Sequence, residues 1–242
     1  MKEETSTRIW EIDFLRGLAI ILMVGYHLLY DLGDFAGVEK FLIFSTDLTT
    51  PGWLIAQHLF AGLFVLISGI SSNFSRNNFR RMLKYLAVAL LITAATYLFD
   101  PESAIIFGII HCLAFSVLIY GLFFKNSRPL TCFVWGIVIV FLNAFLPSLQ
   151  KISAFRTNWL LPLGLHRPDF ASFDYFPLIP WTGIFLVGAA VGGWLYRSKK
   201  SLLPSTLRPT FVNWCGRNSL YIYLLHQPVI MGILYLLGYV RL

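Results

Sequence analysis

Charge is scarce in this chain. Only 13% of its 242 residues are Asp, Glu, Lys or Arg, about half the share that a water-soluble domain carries. That shortage excludes an ordinary soluble enzyme. Cysteine is sparse too: Cys112, Cys132 and Cys215 lie in or beside apolar segments without paired spacing. This excludes a disulfide framework or zinc site and leaves small buried thiols. There is no GxSxG, P-loop, metal-ligand or Rossmann spacing, no internal repeat and no low-complexity tract. The first apolar run lacks a small-residue cleavage site and is long for a signal peptide, so it is expected to stay as an anchor.

What the chain has is hydrocarbon. It is 57% hydrophobic with a mean hydropathy of +0.70, and apolar runs of about 18 or more residues recur along its length, each able to cross a bilayer. Breaks between these runs predict an all-α, polytopic membrane bundle of about seven helices forming a single domain over 1–242. The expected spans are Phe14–Gly33, Trp53–Ser71, Met82–Phe99, Ala104–Phe124, Thr131–Leu149, Pro177–Tyr196 and Asn218–Gly238. FVNWCG (Phe211–Gly216) extends toward the last span, which Pro228 should kink. Gln150–Phe176 reads as a long loop that dips into the membrane at Asn158–Leu165.

The formal net charge of +7 suggests nucleic acid only until its placement is considered. With a cytoplasmic N-terminus, Lys2, Arg8, Arg76, Arg80, Arg81, Lys84, Lys125, Arg128, Arg197, Lys199, Lys200, Arg208 and Arg217 fall inside. Lys40, Lys151, Arg156, Arg167 and Arg241 fall outside. This is the positive-inside pattern, and no nucleic-acid partner is implied. The location expected is the plasma membrane.

Against this background, the first span is unusual because it contains Arg16, His27 and Asp31. Ionisable groups in a membrane helix are costly and default to a functional hypothesis. Eleven residues at 100° each return His27 to within about 20° of the face of Arg16, and Asp31 follows one turn later on the same stripe. Asp31 is expected to orient the His27 imidazole, leaving one ring nitrogen as base or nucleophile. The alternative is a structural pair satisfying buried polar groups. Arg16 could bind a phosphate or snorkel to headgroups. The inner turn with Arg80, Arg81 and Lys84 could hold cofactor phosphates or simply obey topology. Ser68–Gly69 permits close approach of a helix or ligand. His111, Trp181 and His58 lie toward the outer side, where they could line an acceptor pocket; each has a bland alternative as an interhelical or interfacial group. His226, like His111 a lone histidine in a membrane helix, reads more readily as an interhelical hydrogen-bonding group than as a catalyst. Ionisable groups along a bundle can also mark a solute or ion path, so a small transporter or channel is the rival reading.

IDFLRGLAIILMVGYHLLYD, GLFVLISGIS and the basic Arg80–Arg81 turn together resemble the opening of the transmembrane acyltransferase superfamily. IIFGIIH, FDYFPLIPWTGIFLVG and GRNSLYIYLLHQPV resemble more specifically small prokaryotic relatives of the heparan-α-glucosaminide N-acetyltransferase catalytic domain. The resemblance implies transfer of acetyl from cytosolic acetyl-CoA to a hydroxyl or amine of an extracytoplasmic glycan, amino sugar or other small acceptor. It implies no metal. His27 and Arg16 match the histidine and arginine of the first helix, Ser68 and Gly69 the Ser-Gly motif, and Arg80–Arg81 the basic turn. Members of the superfamily have more helices than the spans read here. An acetyl-histidine intermediate and direct transfer both stay open, as do the acceptor, a longer acyl donor and a homodimer.

Overall fold

The computed structural model describes residues 9–152, 156–204 and 209–239. Lys2, Arg8, Arg208 and Arg241, which enter the orientation argument, lie outside the described residues. The helices are α1 (Trp10–Asp34), α2 (Pro51–Ser72), α3 (Asn78–Phe99), α4 (Ile109–Ile119), α5 (Pro129–Leu142), α6 (Leu146–Gln150), α7 (Leu178–Leu195), α8 (Thr210–Arg217) and α9 (Ser219–Leu236). Among the described residues, six apolar helical stretches are long enough to span a membrane: α1, α2, α3, Pro129–Gln150, α7 and α9. A seventh, Ile109–Phe124, is apolar but shorter. Large apolar side chains stand exposed along α3 and α5, including Leu90, Leu91, Leu98, Val134, Trp135 and Phe141. Such surfaces are liabilities in water but match a lipid solvent. The protein is thus a polytopic, largely helical membrane protein.

Two features depart from expectation. The fourth helix starts at Ile109, not Ala104, because the residues before it are held in an irregular, non-helical segment. Phe173 and Phe176 donate backbone N–H bonds to the carbonyls of Ser103 and Phe107 at 2.8 and 3.0 Å, so these carbonyls are satisfied by a distant stretch of chain instead of a helical turn. The loop after α1 carries a small antiparallel hairpin, β1 (Lys40–Phe41) against β2 (Phe44–Ser45), with Lys40 opposite Ser45. The all-α expectation has no place for it.

The chain forms two compact units, Met1–Phe64 with Lys200–Leu242, and Val65–Lys199. In the first, α8 packs against the start of α1 through two glycines. A Cβ on Gly17 would stand 1.9 Å from the Val212 carbonyl oxygen, and one on Gly216 would stand 1.8 Å from that of Asp13. Only hydrogen fits at either point. Glu11 fastens the same end by accepting from the Ser201 hydroxyl and the Leu202 N–H, each at 2.6 Å. Asn218 separates α8 from α9, its N–H turning back to the Trp214 carbonyl at 3.1 Å. Leu32 of α1 clusters with Ile230 and Leu234 of α9.

In the second unit, α7 is the central helix, with Phe185, Leu186 and Ala190 fully buried. Small residues again bring backbones together: Gly69 and Gly188 where the end of α2 meets α7, Gly136 and Gly183 where α5 meets it. The loop before α7 contains a short helical turn, Asn158–Leu163, closed by Gly164 at φ +103°, a left-handed position that glycine takes without strain. Gln150 pairs with both backbone groups of His166, and the Tyr175 hydroxyl donates to the Leu161 carbonyl at 2.8 Å. The loop is therefore ordered over its described residues.

Candidate active site

The strongest concentration of unsatisfied polar atoms lies on α1 and α9 of the first unit. His27 of α1 and His226 of α9 face each other with ring centroids 4.9 Å apart and planes inclined by 60°. His226 Nδ1 donates to the Tyr223 carbonyl at 2.6 Å. A carbonyl can only accept, so Nδ1 carries the hydrogen and the neutral ring keeps its lone pair on Nε2. That Nε2 is buried and has no hydrogen-bond partner. One residue on, Gln227 Nε2 donates to Asp31 Oδ1 at 3.3 Å. Asp31 Oδ2 and Gln227 Oε1 are also buried without partners, and Asp31 is wholly buried. Leaving such groups unpaired in a low-dielectric interior is costly, and a native cluster of them calls for an explanation.

Asp31 therefore does not orient His27 as expected. Its carboxylate is engaged by Gln227 across the helix pair, and the group beside His27 is a second imidazole. Sequence reasoning weighed His226 as a structural histidine and missed this pairing. The available signal was HQP (His226–Pro228), where Pro228 cannot donate to the Leu224 carbonyl and so loosens the helix at the site. Tyr26 and Trp53 were missed as well. Tyr26 packs edge-on against His27 at 5.9 Å and against Trp53 at 6.1 Å, and Phe44 of the hairpin continues the series at 6.0 Å from Trp53.

The other expected residues are distributed differently. Arg16 pairs with Asp13 at 3.1 Å, three residues back on α1. His58 is exposed on α2, with Nδ1 bonded to the Leu54 carbonyl at 2.7 Å. Arg81 and Ser68 are brought together, but as a clamp on the chain itself. The Arg81 guanidinium donates to Ser68 Oγ at 2.7 Å, Ser72 Oγ at 2.9 Å and the Tyr85 hydroxyl at 3.0 Å. Its donors serve the turn joining α2 to α3, which corrects its reading as a free phosphate ligand. Gly69 is a packing residue: a Cβ there would lie 2.0 Å from the Phe185 carbonyl oxygen. Arg80 and Lys84 remain exposed, one turn apart on α3.

His111 has both ring nitrogens occupied. Nδ1 accepts the Gly108 N–H at 3.2 Å, so the hydrogen sits on Nε2, which pairs with Thr93 Oγ1 at 3.2 Å; Thr93 in turn donates to the Ile105 carbonyl at 2.6 Å. Asp174 completes the start of α4 by accepting from the Ile109 N–H at 2.9 Å. His111 thus caps a helix. Trp181 is buried against Phe176, ring centroids 4.7 Å apart. Among the described residues, no group of three or more His, Cys, Asp or Glu is placed to hold a metal ion.

Two imidazoles thus meet between apolar helices, one with a fixed tautomer and a bare lone pair, an arrangement chemically able to accept a proton away from water. The chain belongs to the family described as heparan-alpha-glucosaminide N-acetyltransferase, catalytic, which it matches over residues 8–228. No curated protein and no solved structure matches it. Membership makes it a membrane enzyme of the acetyltransferase class.

Proposed function

We propose that this protein transfers an acetyl group from cytosolic acetyl-CoA to a hydroxyl or amine of an extracytoplasmic acceptor, such as a glycan or amino sugar, in a prokaryotic plasma membrane. The single observation that carries this reading is the meeting of His27 with the unpartnered Nε2 of His226 in a chain of this family. The N-terminus is cytoplasmic, as the distribution of Lys and Arg argues, and the exposed Arg80 and Lys84 attract the donor's phosphates.

In this reading His27 is the general base. It takes the proton that the acceptor's hydroxyl or amine releases on attacking the thioester carbonyl, then returns it to the thiolate as the carbon–sulfur bond breaks. The products are an acetyl ester or amide and a thiol, and the proton count closes. His226 is a positioning residue. With Nδ1–H tied to the Tyr223 carbonyl, its Nε2 can accept the His27 N–H, turn the other His27 nitrogen toward the acceptor and share the charge that His27 gains. Tyr26 and Trp53 offer an amphipathic aromatic wall on which an acceptor can rest.

The test uses purified protein in phosphatidylcholine nanodiscs with radiolabelled acetyl-CoA and a panel of hydroxyl and amine acceptors. Wild type labels an acceptor; His27→Ala, matched for thermal midpoint, does not. Turnover retained in His27→Ala contradicts the reading.

A further inference from the structure

Three buried acceptor atoms on α1 and α9 lack a donor: His226 Nε2, Asp31 Oδ2 and Gln227 Oε1. The His27 N–H answers the first in the reading above. The other two belong to side chains already in contact, since Gln227 Nε2 donates to Asp31 Oδ1. An ionised carboxylate and an amide oxygen can only accept, so a charged Asp31 leaves each of them without a partner.

The surroundings of Asp31 do not suit a charge. It is wholly buried, and among the described residues no cation pairs with it. Its charged neighbour Asp34 is a second acid on α1. Along its whole length α9 contains no Lys or Arg, and Arg217 of α8 and Lys40 of the hairpin are both exposed. The bond that Asp31 accepts is also long. Hydrogen bonds to ionised acceptors shorten to about 2.7–2.9 Å, and Glu11 of the same unit behaves so, holding Ser201 and Leu202 at 2.6 Å through both its oxygens. Gln227 Nε2 stands 3.3 Å from Asp31 Oδ1, beyond that range and nearer to what a neutral acceptor shows.

Both orphan oxygens are closed to solvent, and among the described residues no group of three or more His, Cys, Asp or Glu gathers to hold a metal ion. A hydrogen needs no cavity. Placed on Asp31 Oδ2, it turns that oxygen into a donor, and the acceptor it fits is Gln227 Oε1. A carboxylic acid and a primary amide are complementary in this way: each gives one hydrogen and takes one.

We propose that Asp31 is a protonated carboxylic acid closed onto the Gln227 amide, a neutral latch between α1 and α9 that holds His226 opposite His27. Asp31 and Gln227 are then positioning residues that act through His226, the residue before Gln227. The latch lies beside Pro228, which gives no N–H to the Leu224 carbonyl, so the helix backbone alone sets the His226 ring less firmly. Ionising Asp31 would place an unpaired buried charge against neighbouring acceptors and open the latch. The kinetic consequence rests on the acetyl-transfer reading; the proton on Asp31 does not.

The full chain in dodecyl maltoside, a detergent without a carbonyl group, is compared by infrared spectroscopy with Asp31→Asn and Gln227→Leu at neutral pH. The difference between wild type and Asp31→Asn should contain the C=O stretch of a carboxylic acid. Gln227→Leu should raise the frequency of that band by removing the donor to Oδ1, a readout that stands if Asp31→Asn fails to fold. Acetyl transfer in nanodiscs should fall by about tenfold in Asp31→Leu and recover in Asp31→Asn, whose amide supplies the hydrogen that the acid carries. A carboxylate band in place of the acid band overturns the proposal, and so does an acid band that Gln227→Leu leaves unmoved. A folded Asp31→Asn enzyme as slow as Asp31→Leu, or an Asp31→Leu enzyme as fast as wild type, overturns it as well. The acid band, shifted in Gln227→Leu, in a protein that transfers no acetyl group supports the latch while defeating the proposed function.

Discussion

His111 and His226 are both lone histidines in apolar helices, and from sequence they carry the same weight. The structure separates them by the fate of four nitrogens. Both nitrogens of His111 are consumed by its own neighbourhood, one by the Gly108 N–H and one by Thr93. His226 gives Nδ1 to the Tyr223 carbonyl and keeps Nε2 bare beside His27. A buried polar atom left unpaired forfeits stability that a hydrogen bond would supply. Where the fold tolerates this within a functional constellation, chemistry is the reason to look for.

The largest expected effect breaks the comparison in activity. Replacing His27 by Ala, or His226 by Leu, should lower kcat by about 10²–10⁴-fold, the usual worth of a positioned proton-transfer group. His226→Leu should not destabilise the protein, since it removes an unpaired buried nitrogen and keeps most of the volume; thermal melting in nanodiscs checks this. His111→Ala should do the reverse. It strands the Gly108 N–H and takes away the donor to the Thr93 hydroxyl oxygen, so stability should fall by about 1–3 kcal/mol while the rate per folded molecule stays within a few-fold of wild type.

The two adjacent arginines sharpen the same contrast between groups the fold consumes and groups it leaves free. Arg81→Ala removes charge-assisted bonds to Ser68, Ser72 and Tyr85 and should cost about 1.5–3 kcal/mol of stability, with Arg81→Lys failing to restore the fork. Arg80→Ala should leave melting unchanged and raise KM for acetyl-CoA by about two- to fivefold, a weak contribution from one exposed cation.

The smallest effect belongs to carboxylates outside the spans. Asp47 and Asp100 are held below the usual carboxylate range by hydrogen bonds, from Thr49 to Asp47 and from Ser103 and the Glu102 N–H to Asp100. A depressed folded-state pKa stabilises above the unfolded value and is lost as pH falls through the folded one. Melting midpoints of wild type and Asp47→Ala should therefore differ slightly at neutral pH and converge as the pH falls below the usual carboxylate range.

Much of the architecture could be read directly. The apolar runs locate α1, α2, α3, α7 and α9 to within a few residues because lipid demands about 20 apolar residues per crossing. The start of α4 could not be read, since it depends on hydrogen bonds from residues 173–176, far along the chain. The hairpin was missed for a different reason: its strands are only two residues long. At the site, His27 and Asp31 stood out through the cost of placing them in hydrocarbon. Their partners did not, because helical phase gives the face a residue occupies and not the helix that face meets. His226 and Gln227 needed the packing of α9 on α1. Arg81 was misread for the same reason, as its spacing cannot show that Ser68, Ser72 and Tyr85 take up its donors.

The central claim is that His27 and His226 act as one unit in acetyl transfer. The most direct test is a double-mutant cycle on the initial rate of acetyl transfer, comparing wild type, His27→Ala, His226→Leu and the double variant, each normalised to folded protein. Groups that work together lose their contribution together, so the double variant should be no slower than His27→Ala alone. Losses that multiply across the two positions, or a His226→Leu enzyme as fast as wild type, would contradict the account.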